Sequence, residues 1–116
     1  MIDGLVTLRD EIGAYYRGAG QPTVLREAFR QASLFVPLTD DEDVYMGSMG
    51  GVHWLCAFST EAEMGKYCAS RADMSSGRFI TVPGWRLLNA GGNPTCVIVD
   101  VKGEFPMSFP PAPTVI

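Results

Sequence analysis

The chain has 116 residues, 47% of them hydrophobic and 19% charged, with a formal net charge of −4. That length is one domain, able to bury roughly two-thirds of the surface its unfolded chain exposes, and this composition excludes a disordered chain. With 13 acidic against 9 basic residues and no Lys/Arg cluster, the chain lacks the footprint that a phosphate backbone needs, so nucleic acid is not an expected partner.

Leu5, Leu8, Ile12 and Tyr15 follow helical spacing and predict an amphipathic helix over residues 3–16, with Asp3 as N-cap. Charges run through this stretch and no basic segment precedes it, so it reads as neither a signal peptide nor a membrane span. Nowhere does an uncharged apolar run approach the roughly 20 residues a spanning helix needs. No membrane association and a cytoplasmic location follow as expectations. Residues 17–22, RGAGQP, break the first helix. A second runs from Pro22 or Thr23 to Ala32, with Leu25, Ala28, Phe29 and Ala32 on one face and Pro22 in the first turn, where its missing N–H costs nothing.

SLFVPL, residues 33–38, reads as a short strand. Pro37 restricts it to an edge or to the end of the pairing, because proline donates nothing to the ladder. A polar loop, TDDED, leads to a weak strand near residue 44 and a glycine turn, hairpin-linked to the strongest strand, VHWLCAF at 52–58. Alternation puts Val52, Trp54, Cys56 and Phe58 on one face and His53, Leu55 and Ala57 on the other. Thr60 and Glu63 then form a capping-box pattern, opening a helix to about Ala72 with Met64, Tyr67 and Cys68 as its buried stripe. RFITV at 78–82 is a further strand, and WRLLNAGG a short helical turn closed by glycine. CVIVDVKG gives a strand with Val97, Val99 and Val101 on one face, and EFPMSFPPAPTVI an extended tail or last edge strand. The pattern lacks a regular βαβ rhythm. It predicts one α+β domain with a mixed, mostly antiparallel sheet and helices mainly on one side: an N-terminal helix at 1–20, the main body at 21–105 and a proline-rich tail at 106–116.

His53 is the only histidine, and Cys56 lies three positions after it. Strand parity sends the two side chains to opposite faces, so they cannot act as base and nucleophile. Cys56, Cys68 and Cys96 show no metal spacing and read as small buried hydrophobes. The run Asp40–Asp43 breaks the calcium-loop pattern at Met46 and Val52 and reads as a solvated loop. Glycines in GSMGG and AGGNP match no phosphate loop and read as turn residues. Trp54 reads as core. For Trp85, on a turn, core is preferred and a binding anchor is the alternative. Pro110 and Pro113 make a minimal P-x-x-P.

The order LFVPL (34–38), acidic loop, Trp54 with AFSTEAE (57–63), then VPGWRLL (82–88) resembles the N-terminal domain of the SseB family, named for an enhanced-serine-sensitivity phenotype. The resemblance covers roughly residues 25–102. It implies a compact bacterial α+β domain of the cytoplasm with no established reaction, so no functional residue carries over. Asn93-Pro94 departs from the family pattern by preceding the strand CVIVDV instead of ending an aliphatic stretch.

The expected function is a small non-enzymatic domain that binds another protein, with Trp85, His53, Pro110 and Pro113 as candidate contacts. An unknown protein partner and a homodimer through the N-terminal helix are the expected associations. The alternatives are binding of a small molecule, an amino acid in view of the family's name, and an enzyme built on a thiol or His53. No cofactor and no metal are expected.

Overall fold

A computed structural model describes residues 4–90 and 94–111, with side chains from Thr7 onward except that of Met49. The first helix, α1 (Gly4–Tyr16), is followed by α2 (Pro22–Gln31), which starts at Pro22 as proline's fixed φ favours. Leu25, Ala28, Phe29 and Ala32 are buried, and so are Leu8 and Ile12 of α1. Tyr15 corrects the expected stripe. It lies 48% exposed, because the seam facing the core narrows to Leu8 and Ile12 before the chain turns away. Asp3, the side chain of Leu5, Gly91, Gly92, Asn93 and Pro113 lie outside the described residues.

Strand β1 (Ser33–Pro37) ends at its proline and pairs antiparallel with β4 (Phe79–Pro83). Phe35 exchanges both main-chain hydrogen bonds with Phe58 on the other side, which joins this ribbon to a four-stranded sheet. That sheet has the order β2 (Gly47–Met49), β3 (Val52–Ala57), β5 (Thr95–Val99), β6 (Met107–Phe109). β3 and β5 are parallel and the other pairs antiparallel. The weak strand therefore begins at Gly47 and not near Val44, which makes only an isolated bridge to Leu38. Gly50 (φ 59°) and Gly51 (φ 82°) close the β2–β3 hairpin. A two-residue turn with both central φ positive matches strand twist and selects glycine.

Two cores share the sheet. On one face Leu55, Ala57, Val97, Val99 and Phe109 meet α1, α2 and the short helix α4 (Gly84–Leu87). Across the sheet, Cys56 and Phe58 pack under Met64 and Tyr67 of α3 (Glu61–Ala69), with Met74 closing the end. Among the described residues, three helices on one face and one on the other make an α+β domain with a mixed sheet. The N-terminal helix and β6 belong to the same core as the body, since Leu8, Ile12 and Phe109 all lie in it. No helix among the described residues is long and apolar enough to cross a membrane.

Two boundaries differ from expectation for local reasons. α3 stops at Ala69, short of Ala72, because the Ser70 hydroxyl donates to the Tyr67 carbonyl at 2.6 Å and competes with helix continuation. β5 stops at Val99 because Asp100 turns left-handed (φ 54°). Its carboxylate accepts from Ser59 N–H at 2.8 Å and Ser59 O–H at 2.6 Å. Asp tolerates this conformation better than most residues. The turn breaks strand alternation, so Val101 leaves the face of Val97 and Val99 and lies 36% exposed.

Candidate functional site

β3 and β5 are mostly apolar on both faces, and among the described residues one nine-residue helix, α3, is the only helix over the second face. It shields the end nearest Phe58, where the Tyr67 ring lies 5.3 Å from that of Phe58. Beyond it the sheet stays open as a groove of about 620 Å³. Val52, Trp54 and Cys56 from β3 and Cys96 and Ile98 from β5 form its floor, and Val101 stands at one side. The left-handed Asp100 thus delivers to the groove a valine that regular alternation would have buried.

Trp54 holds its place through its neighbours. Gly47 lies beneath the indole, and a Cβ there would come within 2.5 Å of Trp54 Nε1. Tyr45 meets the indole edge-on at 5.8 Å between ring centroids. At the closed end, the Arg71 guanidinium stacks over Tyr45 at 4.1 Å. It donates to Asp73 through Nε (2.9 Å) and Nη2 (2.7 Å), and to the Tyr67 hydroxyl through Nη1 (3.0 Å). Tyr67 shares its core cluster with Cys56, so a carboxylate, a guanidinium and a phenol are hydrogen-bonded in series beside a thiol.

The charges balance. Arg71 holds the Asp73 carboxyl below its ordinary range, and Asp73 holds the Arg71 guanidinium charged at any accessible pH. Burial pushes the Cys56 thiol up, offset only in part by Tyr67 and Arg71. Burial likewise raises Cys68 and Cys96. Tyr67 is raised by burial first and then by Cys56. The thiols are therefore neutral at pH 7 and lack the thiolate character of a nucleophile. Guanidinium has five N–H donors and Arg71 uses three here, so this cation keeps donors for a visitor. Among the described residues, no group of three or more His, Cys, Asp or Glu could hold a metal ion.

Of the residues singled out from sequence, His53, Trp85 and Pro110 do not line this groove, and Pro113 lies outside the described residues. His53 is half-buried on the opposite face from Cys56, as strand parity requires. Trp85 is 48% exposed at the start of α4, with Arg86 against its ring at 5.6 Å, which corrects the preference for core. The cause is local: the close packing of Gly84 on α2 turns the next side chain outward. Pro110 is exposed beyond β6, beside a separate hollow of about 210 Å³ shared with Arg26 and Arg30. Trp54, expected in the core, is only half-buried because α3 stops short of it. The acidic residues 40–43 are all exposed, yet the Asp40 carboxylate accepts from Ser75 Oγ at 2.9 Å and Ser76 N at 3.0 Å, and Glu42 pairs with Arg78.

Comparison with protein-family models, with curated proteins and with solved structures finds no match. The class of molecule is therefore defined by its own geometry: an α+β domain with one sheet face left partly open.

Proposed function

We propose that this chain is a non-enzymatic binding domain whose ligand is a small molecule with an apolar body and one hydrogen-bond-accepting head. The observation that carries this reading is the groove over Trp54, Cys96 and Ile98, closed at one end by Arg71. Its volume of about 620 Å³ falls within the roughly 300–1,000 Å³ typical of small-molecule sites. Its walls are apolar carbon and neutral thiol, and Arg71 is already neutralised by Asp73, so a ligand needs an acceptor there but no compensating charge. Protonated thiols and the separation of His53 from Cys56 support the absence of catalysis. Three free cysteines suit a reducing, cytoplasmic setting. The motifs at 34–38, 57–63 and 82–88 support kinship with the SseB family and a bacterial source.

A thermal-shift series tests the proposal, because a ligand that binds only the native state stabilises it by mass action. Decanoate, decanol and decanamide, each an apolar chain with an acceptor oxygen, should each raise the melting temperature saturably, whereas serine should not. If none of the apolar probes shifts it, the groove is not a ligand site. If serine alone does, the site lies elsewhere.

A second reading, a domain that docks on another protein, is favoured by the exposure of Trp85, since exposed tryptophans on rigid turns are common hot spots. A pull-down with Trp85→Ala as the paired bait tests it. A discrete partner lost with the variant supports this reading, and equal capture by both baits removes Trp85 from it.

A further inference from the structure

The open edges of the two sheets are not alike. β2 and β6 are each three residues long, and Pro106 and Pro110 flank β6. Short strands and flanking prolines are how folded proteins keep an edge from pairing with other chains. β4 has five residues, FITVP, carries no charge and, among the described residues, pairs with β1 alone. Phe79 is 37% and Ile80 40% exposed on it. Its only protective feature is Pro83, at its last position.

The hydrogen-bond pattern fixes which groups this edge offers. Phe35 spends its N–H and C=O on Phe58, so β1 must bond β4 through Leu34 and Val36, opposite Val82 and Ile80. Main-chain direction alternates along a strand, so the N–H and C=O of Phe79 and Thr81 point away from β1. The flanking bonds agree: Arg78 C=O accepts from Leu38 at 2.9 Å and Gly84 N–H donates to Ala32 at 2.9 Å, both inward.

We infer that β4 pairs antiparallel with β4 of a second copy of this chain, about a two-fold axis through Ile80. In that register Phe79 of each copy lies opposite Thr81 of the other and exchanges both bonds with it, so every outward N–H is used and none is asked of Pro83. Ile80 faces its own copy at a non-hydrogen-bonded position, where opposed side chains come closest. The strand is neutral, so two copies of an acidic chain meet here without opposing charges, and the nearest cation, Arg78, is paired with Glu42. A strand that satisfies its own donors in this way is self-complementary, as a two-fold interface requires. The result is a continuous β1-β4-β4-β1 sheet across the dimer. The contact is small against the ~1,200 Å² lower bound of stable standard interfaces. The dimer should therefore form and dissociate with concentration. β4 contributes nothing to the groove, so this inference stands apart from the ligand reading.

Sedimentation velocity of the full chain over a concentration series tests it, with Ile80→Lys and Thr81→Pro alongside and amide hydrogen exchange on the parent. Thr81→Pro removes an outward N–H. Ile80→Lys changes an exposed side chain and keeps the test valid if the proline variant misfolds. The parent should pass from one to two chain masses as concentration rises. Variants with the parent's circular dichroism should stay monomeric, and the Phe79 and Thr81 amides should become protected with concentration. A parent that stays monomeric throughout overturns the inference. So does a dimer that folded Ile80→Lys retains, or exchange at Phe79 and Thr81 that ignores concentration.

Discussion

The same substitution, glycine to alanine, should have opposite signs at two positions of this fold. Gly84 opens α4 against α2, and a Cβ there would overlap the Phe29 carbonyl oxygen and lie 2.8 Å from its carbonyl carbon. The obstacle is backbone, so no rotamer change relieves it. α4 would have to back away from α2, stretching the 2.9 Å bond from Gly84 N–H to Ala32 C=O. Overpacking of this kind costs about 1–3 kcal/mol and a lost hydrogen bond about 1 kcal/mol, so Gly84→Ala should destabilise by about 2–4 kcal/mol. Gly65 lies exposed inside α3 with nothing within 4 Å of a new Cβ. There alanine should stabilise by about 0.5–1 kcal/mol, since it loses less backbone entropy in a helix. An unfolding entropy of about 2.1 cal/mol/K per residue makes 1 kcal/mol worth about 4 °C for a chain of 116 residues. Melting followed by circular dichroism should therefore show Gly84→Ala lower by about 8–16 °C and Gly65→Ala higher by about 2–4 °C. A Gly84→Ala variant within about 0.5 kcal/mol of the parent, less than any overpacking cost, would refute the close approach of α4 to α2.

Asp100 joins left-handed backbone to two hydrogen bonds from Ser59, so Asp100→Ala should cost about 2–4 kcal/mol by urea unfolding, with Asp100→Asn costing less because Asn also tolerates that conformation. A loss below about 0.5 kcal/mol for the alanine variant contradicts that bonding. Stability should also fall on the alkaline side. The folded-state pKa values of Cys56, Cys68, Cys96 and Tyr67 are raised, chiefly by burial, so the unfolded chain releases these protons first. The thiol contribution is whole below about pH 8.5 and is lost as pH rises toward the folded values. For Cys56 the slope is at most about 1.4 kcal/mol per pH unit, and Cys56→Ala should flatten it. Denaturation midpoints that hold level from about pH 7.5 to about pH 10 would rule this out.

Much of the fold was legible because single segments carry enough signal. Leu25, Ala28, Phe29 and Ala32 repeat at helical spacing behind Pro22, and Val52 to Phe58 alternate cleanly. Thr60 was readable as a cap, and its hydroxyl does accept from Glu63 N–H at 3.1 Å. Its partner was not so readable: Glu63 turns to Lys66 instead of returning to the cap. Val101 and Ala72 were misread because one left-handed aspartate and one serine hydroxyl end their elements, and neither effect shows in periodicity. The groove was hidden for a different reason. Its residues look like core in sequence, and they lie open only because α1, α2 and α4 gather on the other face. The available signal was the mostly apolar character of both faces of β3 and β5 beside a single short helix at 61–69. Nothing in the spacing of Tyr45, Tyr67, Arg71 and Asp73 announces that they meet.

Nuclear magnetic resonance titration with decanoate, on the parent and on Ile98→Asp, tests the central claim most directly. The account predicts saturable shifts of the Val52, Ile98 and Val101 methyls and the Trp54 indole N–H, with Trp85 unmoved and binding abolished by Ile98→Asp. Shifts centred on Trp85, or equal saturation by the folded Ile98→Asp variant, would contradict it.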